Sequence, residues 1–596
     1  MPDTYTPPLD DINFVLRHIT DLEALSKLNG FEHADVETLG AALEEAGRFM
    51  AEVVAPTNRI GDQVGSIHDG DASVTTPDGL KDAYEKFVAS GWGAVAYPAE
   101  AGGAGLPWLI GLAVQEMFTS ANMAFSIGPM LTQGTVEALL FHGADEHKAT
   151  FLDKLVSGEW MGTMVLTEPE AGSDVGALRS KAVPNGDGTY AITGTKIFIS
   201  WGEHDLSENI IHMVLARTPE APPGTRGISM FIVPKFLVNP DGSLGERNSF
   251  KAVSIEHKMG IHASPTCVMD FDGATGYLVG EENHGMRYMF TMMNSARLSV
   301  GVEGLAVSER AYQMAVAYAQ ERLQGRAIGA PKTEHSPIID HPDVRRMLMT
   351  IKAYNEAMRC LLYANAEAFD RSHHASDEAA RTAASERLDL LTPISKAWCT
   401  DLGVELTSLA LQVFGGMGYV EETGVAQHYR DARIAPIYEG TNGIQAIDLV
   451  ARKLPMRNGG AVEDLIKEMS GLDAELAEAG EALATIRSGL SDAVADLTSA
   501  VLWLAAHGMK DPNNALAGAT PFLRLMGTTL GGYFMARSAL AAREQLAKAE
   551  GDAAFLEAKI ATARFYAEQL LPQTKGLLPM VTAGAEQLFQ IPVDRL

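Results

Sequence analysis

The sequence predicts a mainly α-helical protein with a central β domain. Apolar residues recur at helical spacing near the start of the chain, over 36–54 and 80–88. Residues 189–200 (TYAITGTKIFIS) instead alternate, are rich in β-branched side chains, and follow the turn sequence Asn-Gly-Asp-Gly at 185–188. Long periodic apolar runs return over 286–324 and 392–414. We therefore expect a β domain that is inserted between helical stretches.

The 596 residues are too many for one hydrophobic core, so several domains are expected. Further short strands are predicted over 210–217, 227–233 and 266–271, and a Pro- and Gly-containing boundary falls at 454–460. The Ala-, Leu- and Glu-rich segments that follow are typical of antiparallel helices. The predicted domains are an N-terminal helical domain (1–160), a central β domain (161–280), a helical bundle (281–455) and a C-terminal helical extension (460–596).

The composition excludes several classes of partner. The formal net charge is -29, and an acidic surface repels the phosphates of nucleic acids and of anionic membranes. Three widely separated cysteines and scattered histidines indicate no disulfide framework and no metal site, which favours a reducing compartment. The acidic first thirty residues do not resemble a signal peptide, and no apolar run is expected to span a membrane. We expect a soluble cytoplasmic protein.

The segment 429–445 (YRDARIAPIYEGTNGIQ) contains one candidate base, Glu439. Apolar residues at 434–438 precede it, and apolar surroundings disfavour the charged form of a carboxylate and raise its pKa. Such a pKa suits a general base. Taken alone, a solvated glutamate in a Gly-containing turn is the commoner situation.

The segment 164–174 (MVLTEPEAGSD) precedes the β domain's alternating strand. Its backbone N–H groups and the hydroxyls of Thr167 and Ser173 could hold a planar polar ligand. The alternative is an ordinary Pro- and Gly-containing loop, with Glu168 and Asp174 in solvent. This segment alone is a weak indication of a site.

Two further segments carry aromatic residues or glycines. In 196–202 (KIFISWG), Phe198 and Trp201 could cover a ring and Ser200 could donate a hydrogen bond to it, or both aromatic residues could lie in the core. In 412–418 (QVFGGMG), glycines at a helix end allow close approach to a phosphate or adenine, although a helix C-cap would look similar. The spacing is not GxGxxG after a strand, so a nicotinamide site is excluded.

Together and in this order, the four segments resemble the acyl-CoA dehydrogenase family over about residues 35–455. The resemblance implies a helical domain, a β domain and a helical bundle, with FAD bound between the β domain and the bundle. It implies α,β-dehydrogenation of an acyl-CoA thioester to the trans-2-enoyl-CoA, with electrons passing to electron-transfer flavoprotein.

The resemblance also assigns roles to individual residues. Those implied to contact FAD are Leu166, Thr167 and Ser173 (flavin or thioester end), Phe198 (packed on the flavin), Ser200 (flavin N5), Arg322 (pyrophosphate, across a dimer interface), Gln412 and Gly416 (adenosine, from the neighbouring subunit) and Thr441. Those implied to bind the substrate are Ser173, Arg297 and Gly440. Two positions depart from the family pattern and leave details of cofactor packing open. The family often has Phe-Gly where this chain has Gln324-Gly325, and many members have Gln where this chain has Gly443.

The resemblance makes Glu439 the catalytic base. Some family members use a glutamate just before the arginine of the long helix, but this chain has Ala296 there, which cannot take a proton. Glu439 would remove an α proton while its backbone N–H and a flavin ribityl hydroxyl polarise the thioester carbonyl. The β hydrogen would leave as a hydride to flavin N5, and the protein would align the reacting atoms.

Residues 255–266 and the tail beyond 460 resemble an extended bacterial branch of the family, which includes enzymes acting on 3-methylmercaptopropionyl-CoA in dimethylsulfoniopropionate breakdown. Other members of the branch oxidise ordinary short- or medium-chain acyl-CoAs, so the acyl chain stays open. The extension implies a homodimer. The alternatives are an acyl-CoA oxidase that uses O₂, a helical scaffold without FAD, and a non-catalytic DNA-associated member, against which the acidic charge argues.

Overall fold

The computed structural model describes residues 4–331, 333–508 and 510–596. They form two compact units. One unit contains Pro8–Ala41 and Val300–Leu596 and is helical, and the other contains residues 4–7 and Ala42–Ser299 and includes the large β-sheet. The predicted fold class, mainly α with a central β domain, is confirmed.

The helices and strands are numbered in chain order. The described α-helices are α1 (Leu9–His18), α2 (Leu22–Leu25), α3 (Val36–Phe49), α4 (Pro56–Val64), α5 (Leu80–Ser90), α6 (Trp108–Ala121), α7 (Met123–His142), α8 (Asp145–Ser157), α9 (Gly285–Glu321), α10 (Pro342–His374), α11 (Glu378–Phe414), α12 (Val425–Ala432), α13 (Asn442–Asp448), α14 (Gly460–Glu478), α15 (Ala484–Gly508), α16 (Pro512–Lys548), α17 (Ala553–Phe565) and α18 (Gln573–Thr582). The described strands are β1 (Ile67–His68), β2 (Val74–Thr75), β3 (Trp160–Val165), β4 (Lys181–Pro184), β5 (Tyr190–Ser200), β6 (Asn209–Ala216), β7 (Ser229–Pro234), β8 (Phe236–Val238), β9 (Leu244–Arg247), β10 (Phe250–Ile255) and β11 (Thr266–Leu278).

The large sheet has the strand order β3-β6-β7-β11-β5-β4, and β10 also pairs with β11. Strands β3 and β6 run parallel, and every residue of β3, β6 and β7 is buried, as expected for strands covered on both faces. Helix α7 lies against β3, where the Gly162 amide donates to the Thr132 hydroxyl at 3.0 Å. The sheet core contains Val165, Ile192, Phe231 and Phe271.

Strand β11 is longer than the sequence indicates, because it continues to Leu278 instead of ending near residue 271. Its pairing register with β5 shifts between Asp272 and Ala274, which is where a β-bulge bends a strand. Beyond the bulge, Tyr277 and Leu278 pair with β7. The bulge thus lets β11 pair with β5 over most of its length and with β7 at its end. The period-2 alternation of the sequence does not reveal this change of partner.

In the helical unit, α9 and α11 approach closely at a glycine. A Cβ atom on Gly304 would lie 2.2 Å from the Cys399 carbonyl oxygen, so only glycine permits this separation. Helix α16 of the C-terminal extension contacts α10, α11 and α13. Here the indole of Trp398, which is fully buried, lies against Gly527 and Gly531. The extension therefore shares its core with the helices that precede it.

The first helix also belongs to this unit, although the sequence analysis grouped it with residues up to 160. The buried Lys559 of α17 forms an ion pair with Asp11 of α1 and another, at 3.2 Å, with Glu356 of α10. A buried charge is tolerated when it is paired in this way. These contacts hold α1, α10 and α17 together.

One described helical stretch, Gly480–Gly508, is long and apolar enough to cross a membrane by length and composition, and a third of its qualifying 18-residue window is buried. No such run was expected from the sequence. The stretch carries Arg487, which pairs with Asp473 at 2.6 Å, and Asp492, which pairs with Lys575 at 2.8 Å. It packs against α14, α16 and α18, so it is a constituent of the helical extension.

Candidate active site

Glu439 lies in a turn between α12 and α13 and has a left-handed backbone conformation, with φ of 54°. This region costs a residue other than glycine about 1–2 kcal/mol, so it persists only where the surroundings hold it. The backbone N–H of Asn442 donates to the Pro436 carbonyl at 3.0 Å, and this hydrogen bond closes the turn around Glu439. The carboxylate is half-buried.

The side chain of Asn442 attaches this turn to α11. Its amide nitrogen lies 2.7 Å from Asp401 Oδ1 and 2.9 Å from Thr400 Oγ1, and its amide oxygen accepts from Lys396 Nζ at 2.7 Å. Burial raises the pKa of Asp401 above its usual value. An amide that joins a buried ammonium to a carboxylate satisfies polar groups that would otherwise be costly to bury.

Gly440 and Thr441 continue the turn into α13. Thr441 precedes the first residue of α13, and its hydroxyl lies 3.3 Å from the Pro436 carbonyl. The Gly440 carbonyl accepts from the side chain of Gln445 at 3.1 Å. Both residues are half-buried, so their backbone groups remain near the surface of the turn.

A second group of predicted residues gathers at the ends of α9 and α11. The rings of Tyr318 and Phe414 stack at 4.3 Å between centroids with an interplanar angle of 15°. The contact joins the end of α9, just before Arg322, to the end of α11, where Gln412 and Gly416 lie. All three are exposed, and a Cβ on Gly416 would meet nothing within 4 Å.

In the unit that contains the sheet, the loop after β3 is fixed to β5. The Leu166 carbonyl accepts from Lys196 Nζ at 3.0 Å, and the Thr167 carbonyl accepts from the Ile197 amide at 2.9 Å. Leu166 and Thr167 are half-buried, whereas Ser173 is exposed. The first part of the loop is thus held rigidly, and the part that carries Ser173 reaches the surface.

Glu168 anchors the same loop from within. It is buried, accepts from the Ser180 amide at 3.0 Å, and lies 2.8 Å from Lys196 Nζ. Burial lowers the pKa of Lys196 to about 8, while Glu168 opposes that shift. Burial alone would raise the pKa of Glu168, but Lys196 and the hydrogen bonds lower it overall. The reading of Glu168 as a solvated loop residue is therefore wrong.

Phe198 occupies a bulge of β5. Opposite Cys267–Met269 of β11, the pairing of β5 runs from Ile199 to Lys196, which leaves one extra residue in β5. Phe198 has φ of 58°, and its side chain is 59% exposed. Bulges commonly redirect a side chain next to a functional site.

The two aromatic residues of this segment have different surroundings. Trp201, also with positive φ, is fully buried, so the core alternative holds for Trp201 and not for Phe198. Ser200, between them, is half-buried at the end of β5.

Arg297 is buried on α9, and its guanidinium carbon lies 5.9 Å from the centre of the Phe290 ring. Ala296, beside it, is also buried. No carboxylate therefore stands at the position that the sequence analysis named as the alternative for the base.

These surfaces fit the FAD that the sequence implies. Phe198 offers the exposed ring that a flavin-covering aromatic requires. Gly416 and Gly443 leave open space where side chains would stand. The Oε1 atom of Gln445 is buried without a hydrogen-bond partner among the described residues, which makes it an available acceptor.

Sequence reasoning missed Lys196 and Asn442. Each belongs to a quoted segment, yet its partners are distant in sequence, at 30 residues for Lys196 with Leu166 and 46 for Asn442 with Lys396. A lysine in an alternating apolar strand was the available signal for the first. Asn442, an asparagine in a turn, carried no such signal in the sequence.

Family models of the acyl-CoA dehydrogenases match most of the chain. They are the N-terminal domain (37–159), the middle domain (163–274), the C-terminal domain (283–454) and an "acetyl-CoA dehydrogenase C-terminal like" domain (462–592).

Individual proteins extend the match to the full length. The chain is 48% identical over 588 residues to 3-methylmercaptopropionyl-CoA dehydrogenase of Ruegeria pomeroyi, covering 98% of this chain and 99% of the relative. It is 34% identical over 607 residues to a butyryl-CoA dehydrogenase of Syntrophomonas wolfei, covering 99% of each. A Bacillus anthracis acyl-CoA dehydrogenase complexed with FAD has the same fold, with a TM-score of 0.73, 20% identity and coverage of 92% and 88%. The chain therefore belongs to the acyl-CoA dehydrogenase family and is an FAD-dependent enzyme that dehydrogenates acyl-CoA thioesters.

Proposed function

We propose that Glu439 is the base of this dehydrogenation and that the physiological substrate is 3-methylmercaptopropionyl-CoA or a short- or medium-chain acyl-CoA. One observation carries the assignment of the base. Glu439 is a half-buried carboxylate held in a left-handed turn by Asn442, while the alternative position holds Ala296. A carboxylate held in one geometry can take a proton from a thioester without first being reoriented.

The residues around the turn have different proposed roles. Glu439 takes the α proton, and its backbone N–H is proposed to donate a hydrogen bond to the thioester carbonyl, with Gly440 as a further substrate contact. Arg297 and Ser173 bind the CoA thioester. FAD, when bound, would supply the acceptor for the β hydrogen, which would leave as a hydride. The enoyl-CoA product follows because one proton and one hydride leave adjacent carbons.

Nine residues make up the proposed FAD site. Leu166, Thr167 and Ser173 lie on the loop after β3, and the rigid attachment of Leu166 and Thr167 to β5 supports their role. The others are Phe198, Ser200, Arg322, Gln412, Gly416 and Thr441. The exposed ring of Phe198 and the common location of Arg322 and Gly416 at one helical end support a contact with an extended nucleotide cofactor.

The substrate proposal rests on the relatives. The 48% identical protein is named for 3-methylmercaptopropionyl-CoA, and the 34% identical protein is named for butyryl-CoA. Both names refer to short acyl chains, one with sulfur and one without. We therefore propose a role in dimethylsulfoniopropionate breakdown or in the oxidation of short acyl chains. We also propose a cytoplasmic location, with electron-transfer flavoprotein as the acceptor.

A homodimer completes the proposal. Exposed apolar side chains occur on the segments that follow α9 and α11, where Arg322 and Gly416 lie, and they include Leu323, Ile328 and Tyr419. Ile328 and Tyr419 are 102% and 93% exposed, and large exposed apolar groups of this kind support an interaction surface. A second copy of the chain that covers this surface would bring its own residues to the cofactor.

The test is anaerobic reduction of the purified yellow protein by a panel of acyl-CoAs. We expect bleaching with 3-methylmercaptopropionyl-CoA or short straight chains, and binding without bleaching for Glu439→Gln. Normal bleaching of Glu439→Gln would remove the base assignment. Rapid reoxidation of the reduced enzyme by O₂, compared with an artificial acceptor, would instead identify an acyl-CoA oxidase.

A further inference from the structure

A second buried carboxylate stands behind the turn that carries Glu439. Glu303 lies on α9 and is 1% exposed. The hydroxyl of Tyr438, the residue immediately before Glu439, lies 2.6 Å from both carboxyl oxygens of Glu303 and donates its hydrogen bond to them. The two partners are 135 residues apart in sequence.

The charge of Glu439 acts on the carboxyl group of Glu303. Burial raises the pKa of Glu303 to about 8, the Tyr438 hydrogen bond and the charge of Lys396 lower it, and the charge of Glu439 raises it further. Lys396 is itself fully buried and donates to Asn442 in the same turn. Glu303 is therefore enclosed with the groups that support the proposed base.

The turn is held on both sides of Glu439. On the C-terminal side, Asn442 and Gln445 bind the backbone and α11. On the N-terminal side, the side chain of Tyr438 makes its hydrogen bond to Glu303. A left-handed conformation at a residue other than glycine requires such support, since the relaxed backbone would leave that region.

We propose that Glu303 is a positioning residue of the dehydrogenation, which holds Tyr438 and thereby the turn that presents Glu439 to the substrate. The proposal rests on the assignment of Glu439 as the base. Glu303 contacts the turn through the side chain of Tyr438, so its proposed role is to hold Glu439 in place and not to touch the reacting atoms. Its carboxyl group acts as the acceptor that fixes the tyrosine.

The architecture of α9 supports this role. Gly304, the next residue, allows α9 to approach α11 so closely that a Cβ would lie 2.2 Å from the Cys399 carbonyl. The close approach brings Glu303 to the side of α11 that carries Lys396. A longer helix separation would leave the Tyr438 hydroxyl beyond the reach of a glutamate.

The test compares Glu303→Leu, Glu303→Gln and Tyr438→Phe by stopped-flow reduction of the holoenzyme with saturating acyl-CoA under anaerobic conditions. Glu303→Leu and Tyr438→Phe should each slow the reduction about 10- to 100-fold, because a misplacement near 1 Å can cost that much. FAD content and KM should change little. Glu303→Gln keeps an acceptor for the tyrosine and should stay within about threefold of the wild-type rate.

The double variant Glu303→Leu, Tyr438→Phe should be no slower than the slower single variant, because both single changes remove the same contact. The matched control is Glu309→Leu. Glu309 is a buried carboxylate on the same helix, 3.2 Å from Asn355, and its loss should lower stability without slowing the reduction.

Any of three results would overturn the proposal. The first is reduction of Glu303→Leu at the wild-type rate, and the second is reduction of Glu303→Gln as slow as that of Glu303→Leu. The third is reduction of the control Glu309→Leu as slow as that of Glu303→Leu. If Glu303→Leu does not fold, Tyr438→Phe and Glu303→Gln decide by the same criteria. Failure of the proposed function is separate, because it appears as normal reduction of Glu439→Gln. A Glu439→Gln that is inactive beside a fully active Glu303→Leu refutes only the positioning role.

Discussion

The ammonium group of Lys196 lies 2.8 Å from Glu168 Oε1, and both side chains are buried. Lys196→Met leaves the Glu168 carboxylate without its counter-charge, so we expect a loss of roughly 3 kcal/mol in stability. The midpoint of thermal unfolding and the retained FAD would both fall. Lys27→Met, which removes an exposed pair with Glu23, is the control and should leave the midpoint unchanged. Equal midpoints for the two variants would refute the buried ion pair as an anchor.

Replacing Phe198 should weaken FAD binding without unfolding the protein. Asparagine tolerates positive φ better than phenylalanine, so Phe198→Asn keeps the bulge and removes the ring. The loss of one aromatic contact, about 1 kcal/mol, predicts roughly fivefold weaker binding of FAD to the apoprotein. Phe141 has the same 59% exposure, and Phe141→Asn serves as the control. Unchanged FAD affinity in Phe198→Asn, measured by fluorescence titration, would exclude Phe198 from the cofactor site.

Stability should fall between pH 6.5 and 9 because of His262. The imidazole of His262 donates a hydrogen bond to the Asp62 carboxylate, 3.1 Å away, and this bond raises the pKa of His262 to about 9. The protonated imidazole therefore stabilises the fold fully below pH 6.5, and this contribution disappears as pH rises through 9. After allowance for the 30% exposure of the ring, we expect the protonated imidazole to contribute about 1–2 kcal/mol to the free energy of unfolding. His262→Gln and Asp62→Asn should both flatten the pH profile of thermal unfolding, and a profile as steep as wild type in either would contradict the assignment.

Gly527→Ala should destabilise the helical unit. The added Cβ would lie 2.4 Å from Cγ of the buried Trp398, and an indole in the core cannot move aside. Overpacking of this kind costs roughly 1–3 kcal/mol. Gly471, on an exposed face of α14 with nothing within 4 Å of its Cβ, is the control. Gly471→Ala should instead raise the unfolding free energy by about 0.5–1 kcal/mol, measured by urea unfolding.

Charge at the exposed helical end should separate the proposed dimer. Ile328→Lys and Tyr419→Asp place charges on apolar positions that a second copy would cover. We expect monomers in sedimentation velocity and lower FAD content, because residues from both copies are proposed to hold the cofactor. Val593→Lys changes a residue of similar exposure, 87%, and should remain dimeric. Dimers with full FAD in all three variants would place the interface elsewhere.

Periodicity predicted several of the principal elements to within a few residues. The strand expected over 189–200 is Tyr190–Ser200, because turn residues bound its β-branched alternation on one side. The helix expected over 286–324 is Gly285–Glu321. Helix α11 begins at Glu378, earlier than the expected 392, since its first turns are polar and carry little apolar periodicity.

Within the candidate site, the sequence indicated the segments and not the contacts between them. Glu439 stands out because a carboxylate follows an apolar run. The supports of its turn, Lys396 and Glu303, lie 46 residues from Asn442 and 135 residues from Tyr438. A single sequence contains no signal for pairs at such distances, because only the packing of α9 against α11 brings them together. The roles proposed for the FAD and substrate residues stay predictions.

The position of Trp398 has a consequence for how such enzymes can change in length. Its indole fills a space that Gly527 and Gly531 leave open on α16, beyond the part of the chain that carries Glu439. In the protein encoded by a gene shortened before α14, Trp398, one of the largest fully buried side chains, would meet water, so we expect the deletion to be tolerated only when residue 398 changes with it. Trp398 and the two glycines are therefore expected to be inherited together, and a lineage that loses the extension should carry a smaller or polar residue in place of the tryptophan.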